Sequence, residues 1–147
     1  MEPSVKTTWN DPMPGIKAAT RSGMLEVLAK VTTEAKSLAS GFKNPTGRLM
    51  NSIMYQMEGE EGGFDGAPAK ASDKIKEPKQ ELVGYVGTNV SYAIYQEAGT
   101  RYISPHPFLR PAIAIHAQGK SAADVMRKWA AIRAKGPLKF GESREGF

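Results

Sequence analysis

Few side chains in this sequence are placed to do chemistry. His106 and His116 are its only histidines. His106 sits between Pro105 and Pro107, and His116 falls in a helical stretch. Neither joins a serine and a carboxylate in a spacing that suggests a nucleophilic triad, and no two carboxylates are set apart for acid–base work. An imidazole titrating near neutrality is not thereby a catalyst, so a packing or surface role is expected for both. Glu58, Glu60, Glu61 and Asp65 cluster, but they lack calcium-loop spacing and have no histidine nearby. Gly84-x-x-Gly87-Thr88 has the wrong spacing for a phosphate loop and no lysine. Without cysteine there is no thiolate metal site and no disulfide, which suits a reducing compartment. The expectation is a protein that is not an enzyme, with no cofactor and no metal.

What remains is an acid and a base, Glu97 and Arg110, inside the stretch 92–113, around which the rest of the chain is organised. Ser91 can cap a short helix. Tyr92 and Tyr95, three apart, would share one of its faces. Gly99 suits a helix-ending residue, with Thr100 after it. Pro105 and Pro107 force extended backbone on the residues before them. Phe108, Leu109 and Arg110 lead to Pro111, which fits the first turn of a new helix. The stretch therefore reads as short helix, sharp stop, stiff loop and helix start. Glu97 should pair with Arg110, or Arg110 should tie down the loop between Gly99 and Pro105, because its guanidinium offers five donors in a rigid fork.

Y-A-x-Y-x-E-x-G-T followed by P-x-P-F-L-R-P-A resembles the signature of the head–tail joining proteins of long-tailed bacteriophages, also called tail-completion, neck or connector proteins. Two upstream pieces fit the same pattern, Thr46-Gly47-Arg48-Leu49-x-x-Ser52-Ile53 and Val86-Gly87-Thr88-Asn89-Val90. The ordered set spans roughly residues 45 to 115, and neither the first helix nor the C-terminal tail carries an identifying motif. The resemblance implies an α+β subunit that assembles with itself into a closed ring, most often a hexamer. Such a ring joins the head connector to the tail and leaves a channel for DNA, which passes without sequence-specific binding. The implied partners are the adjacent connector and tail proteins. The implied place is the virion neck or tail, after synthesis in the host bacterial cytoplasm.

The remaining elements are read from periodicity. Residues 1–15 hold Pro3, Pro12, Pro14 and Gly15 and should form an irregular arm carrying Trp9. A single α+β domain is expected over 16–135. Its first helix, 16–42, has an apolar stripe of Leu25, Leu28, Thr32, Ala35, Leu38 and Phe42, widened by Val27 and Val31. Lys17, Arg21, Glu26, Lys30, Glu34 and Lys36 cover its polar side, and Gly23 weakens its start. Residues 48–57 alternate and predict a strand. Residues 80–88 predict a second, antiparallel to the first, with Gly84 marking a bulge or a close backbone approach. Two strands are marginal, so a third must come from the arm, the connecting loop or a neighbour. The loop 58–78 is rich in glycine and aperiodic and is expected to be mobile. In a ring its Lys70, Lys74 and Lys76 would be channel candidates. After Pro111 a helix continues, broken near Gly119 and recapped by Ser121, with Val125, Trp129 and Ile132 inward beside Met126. Gly136-Pro137 ends it, and 136–147 is a tail bearing Phe140 and Phe147. Trp9, Phe140 and Phe147 are the candidate subunit contacts.

Composition sets the limits. The chain has 147 residues, enough for one domain with a modest core, and 15 glycines with 10 prolines imply generous loops. A lean core with long loops often leaves apolar surface for a partner. No run approaches a membrane span, and the first residues lack a basic start followed by an apolar run, so neither membrane nor secretory leader is expected. The net charge of +5 is concentrated late. This keeps open an alternative function, a small basic nucleic-acid-binding protein acting as monomer or dimer. However, no dense Lys/Arg cluster or aromatic stacking platform appears. A small hydrolase ranks last.

Overall fold

A computed structural model describes residues 13–41, 47–62 and 74–134 of the chain. The first element, α1 (Met13–Ser40), is the one on which both the sheet and the later helices pack. Its buried face is centred on Val31 and Ala35, with Ala19, Val27, Leu28, Thr32 and Ala39 along it. This face is rotated from the expected stripe. Leu25 and Leu38 lie at its margins, Phe42 lies outside the described residues, and Lys36, assigned to the polar side, is buried. Thr32 is tolerated inside because its hydroxyl donates to the Leu28 carbonyl at 2.8 Å. The helix also runs straight through Gly23. There the missing side chain lets the Met126 sulfur come within 2.6 Å of where a Cβ would stand.

The strand expected over 48–57 is corrected. Arg48–Ser52 forms a short helix, α2, entered from Gly47 in the left-handed region at φ 62. Leu49, Ser52 and Ile53 are the buried positions, and a spacing of three and four satisfies a helix as well as alternation suggests a strand. The Ser52 hydroxyl lies 2.8 Å from the Leu49 carbonyl, a bond within the helical turn. Extended structure begins at β1 (Met54–Met57) and turns directly into β2 (Glu60–Gly62). The third strand therefore comes from the loop, so 58–62 is ordered sheet and turn. Residues 63–73, including Lys70, lie outside the described residues.

The last strand, β3 (Gly84–Gly87), is shorter than the 80–88 expected; Leu82, at φ 60, sits in a turn before it. The sheet order is β2-β1-β3, both pairings antiparallel, with Met57 opposite Gly84 and Met54 opposite Gly87. Gly84 is a close approach, as expected: a Cβ there would stand 2.6 Å from one methyl of Leu28 and 3.0 Å from the other. Gly84→Val should push the sheet off α1 and cost about 1–3 kcal/mol by denaturant melting. An unchanged midpoint would mean that Leu28 turns aside freely.

Three helices follow, α3 (Ala93–Ala98), α4 (Leu109–His116) and α5 (Gly119–Ala134). Ser91 does not cap α3, whose N-cap is Tyr92 with no side-chain bond. Ser121 lies inside α5 instead of capping it; Gly119, at φ 61, makes the break. The chain is thus α+β, a small antiparallel sheet with a long N-terminal helix and C-terminal helices. Its core joins Val27, Val31 and Ala35 of α1 to Leu49, Ile53, Val90, Ala93, Phe108, Ala112 and Val125. Trp129 packs against that core and Met126 meets Gly23, as the inward face of the last helix requires.

The seam between α1 and α5 is electrostatic as well as apolar. Glu26 lies 2.7 Å from Lys128 and 3.0 Å from Lys30, and accepts from the Trp129 indole at 2.6 Å. The hydrogen bond from Lys128, the largest influence, holds its carboxyl down at about 2; burial opposes it, and Lys30 and Trp129 add to the lowering. A carboxyl depressed in the folded state stabilises fully above its unfolded value of 4.5 and loses that contribution as pH falls towards 2. Because the seam is partly solvated, about 1–2 kcal/mol is expected to disappear across that window. Glu26→Gln should flatten this acid limb in melts run from pH 5 to pH 2. An identical limb in the variant would remove Glu26 from the account.

Candidate functional site

Between α3 and α4 the backbone turns back on itself, and most of its N–H groups are hydrogen-bonded. α3 ends at Gly99, whose φ of 74 and ψ of 173 no other residue adopts readily. The Gly99 N–H donates to the Tyr95 carbonyl at 2.9 Å, and the Thr100 N–H donates to the Ile103 carbonyl at 2.8 Å. The Thr100 hydroxyl oxygen accepts from the Tyr102 and Ile103 N–H groups at 3.2 and 3.1 Å, closing a tight turn. The His106 N–H then donates to the Gln96 carbonyl at 2.8 Å, laying the proline segment alongside the end of α3. Pro105 packs against Gly99, and Pro107 is exposed.

Glu97 closes the unit. Its Oε2 accepts from the N–H groups of Phe108 at 2.8 Å and Leu109 at 3.0 Å, and its Oε1 accepts from Arg110 at 3.0 Å. These are the free donors at the start of α4, where a negative charge also meets the positive end of the helix dipole. The expected role of Arg110 is therefore corrected. Arg110 contributes its backbone N–H to Glu97, while its side chain is exposed and neither pairs with Glu97 nor ties the loop. The physical reason is geometric: the carboxylate already lies across three backbone donors. Arg110→Ala should then cost less than about 1 kcal/mol in denaturant melting, and a larger loss would restore the guanidinium to a structural role.

Other expected positions divide between core and surface. Phe108 is fully buried, Leu109 packs against the core, and Pro111 is the third residue of α4, within its first turn. Tyr92 packs on the core but Tyr95 is 54% exposed, so the two tyrosines have different environments. Lys74 lies 3.4 Å from Glu61, and Lys76 is exposed. Trp9, Phe140 and Phe147 lie outside the described residues. The three motif pieces meet in space. The Ser52 and Thr88 hydroxyls are 2.7 Å apart, the Val90 N–H donates to Thr88 at 3.1 Å, and Leu49, Ile53, Val90, Ala93 and Phe108 share one core cluster.

Sequence reasoning missed the outward side of this unit. Ile94 is 66% exposed and Tyr102 88%, and Tyr95 and Ile103 are exposed as well. The available signal was Ile94, which follows the buried Ala93 and so belongs to the outer side of α3.

His116 Nε2 lies 3.5 Å from Glu34 on α1, a packing position at the end of α4. It borders a cleft of about 400 Å³ with Glu26, Lys30, Ser121, Asp124 and Lys128. The acids there are occupied, Glu26 by two lysines and Asp124 by Arg127 at 2.9 Å. Among the described residues no three His, Asp or Glu side chains could hold a metal ion, and no helix is long and apolar enough to cross a membrane. No family model matches the chain, and neither a curated protein nor a solved structure matches it.

Proposed function

We propose that this chain is a structural virion protein of a tailed phage, a subunit of a ring in the neck that joins the head connector to the tail and leaves a channel for DNA. One observation carries the reading. The residues that resemble the joining-protein signature fold into a single unit closed by the Glu97 carboxylate and its own backbone bonds, and that unit turns apolar side chains outward. A neck ring needs such a rigid apolar face, because it must dock on the adjoining connector or tail protein as well as close on itself. The spatial meeting of the two upstream pieces with this unit supports the same reading. The ring would be sixfold, the usual number for proteins of this kind, and DNA would pass without sequence-specific contact.

The alternative, a basic nucleic-acid binder, has less support. Of the cations on α5, Lys128 is bound to Glu26 and Arg127 to Asp124. Class-averaged electron micrographs of the purified chain, alone and with neck components, test the proposal. Closed rings about a central channel are expected. A chain that stays monomeric under both conditions yet binds duplex DNA with a steep salt dependence would replace it with the alternative.

A further inference from the structure

We propose that Ile94, Tyr95, Arg101, Tyr102, Ile103 and Arg110 form a docking face for a protein partner that presents carboxylates around apolar side chains. The face is compact. The Tyr95 carbonyl holds the Gly99 N–H, and a Cβ on Gly99 would stand 2.9 Å from the Ile103 carbonyl oxygen, so the turn carrying Arg101, Tyr102 and Ile103 is held against the end of α3. Four of the large side chains exposed in this protein are here, led by Tyr102 at 88%. Singly exposed apolar groups are ordinary, but a cluster of them on a rigid support marks an interaction surface.

Charge selects the partner. From Leu82 to Ala123 the sequence contains one carboxylate, Glu97, and its two oxygens are engaged by three backbone N–H groups. Arg101 lies over the Tyr102 ring and Arg110 is exposed, with no competing acid from this segment. Among the described residues, a second copy of the chain offers few acids that are not already paired. Glu60, Glu61, Glu81 and Asp124 already lie 3.9, 3.4, 3.2 and 2.9 Å from Arg21, Lys74, Lys17 and Arg127. Nucleic acid is also a poor complement. Ile94 and Ile103 neither stack on bases nor attract phosphate, and Arg101 lies 5.9 Å from the Tyr102 ring centre, on the face a base would use. An acidic protein surface with apolar groups satisfies both halves. The neck reading is needed only to say that this partner is an adjoining virion protein.

The test uses three probes on the full chain, followed by fluorescence anisotropy: an acidic random copolymer of glutamate and tyrosine, polyglutamate of the same length, and oligo(dT). The copolymer should bind about tenfold more tightly than either of the others, since only it offers charge and apolar area together. Ile94→Ser with Tyr102→Ser should weaken copolymer binding about fivefold or more while leaving polyglutamate nearly unchanged. Arg101→Glu with Arg110→Glu should weaken both. Lys79→Glu with Arg127→Glu, an equal charge reversal elsewhere, should weaken neither by more than about twofold. Thermal melts confirm that each variant is folded. Oligo(dT) binding as tightly as the copolymer, or equal losses from the two charge reversals, overturns the proposal. The two readings fail separately: rings that ignore the copolymer sink the docking face, and a ringless chain that binds it here sinks the neck reading.

Discussion

Replacing Glu97 by alanine is expected to destabilise the protein by about 2–4 kcal/mol, because three backbone donors at the start of α4 lose a charged acceptor together. Two of those donors, on Phe108 and Leu109, are partly buried, so water replaces the carboxylate poorly. Phe108 is itself wholly buried, so fraying of the helix start reaches the core directly. Glu97→Gln should cost less, since one oxygen remains, but the amide nitrogen would face a donor that the second oxygen now accepts. Urea melts give the stability, and amide exchange at Phe108, Leu109 and Arg110 gives the location. A loss under about 1 kcal/mol with unchanged exchange at those three amides would show that solvent caps the helix equally well.

The contrast between Glu97 and Arg110 shows where sequence reasoning stops. That an acid ending one helix and a base beginning the next should matter was legible from type and spacing. That the acid would take the backbone of 108–110, and leave the guanidinium in solvent, was not, because backbone donors carry no residue letter. The same limit explains 48–57. Leu49 and Ile53 satisfy both alternation and helical spacing, and Gly47 with the Ser52 hydroxyl decides between them only in three dimensions. It also explains β2. Glu60-Glu61-Gly62 has no apolar alternation, yet it pairs with β1. By contrast, the helix stop at Gly99, the close approach at Gly84 and the inward face of α5 were readable, since each depends on what a particular side chain, or its absence, permits.

Gly99→Val is expected to be comparably damaging, about 2–4 kcal/mol, and for two reasons that add. The first is conformational. At φ 74 and ψ 173 the residue occupies a region that is essentially glycine's alone, which by itself costs another residue about 1–3 kcal/mol. The second is space. A Cβ would stand 2.8 Å from the Pro105 nitrogen and 2.9 Å from the Ile103 carbonyl oxygen. Both are backbone atoms that cannot swing aside, and Pro105 is stiffened by its ring. The chain can relieve the contact only by moving 103–105 away from α3. That movement stretches the bond from the His106 N–H to the Gln96 carbonyl and, just beyond it, the three bonds into Glu97. The two substitutions therefore act on one structure and should not be additive. Glu97→Ala combined with Gly99→Val is expected to cost at least about 1 kcal/mol less than the two single losses together. Full additivity in the urea melts would mean that the turn at Gly99 and the cap at Glu97 form independently, and that the unit between α3 and α4 is two local features and not one.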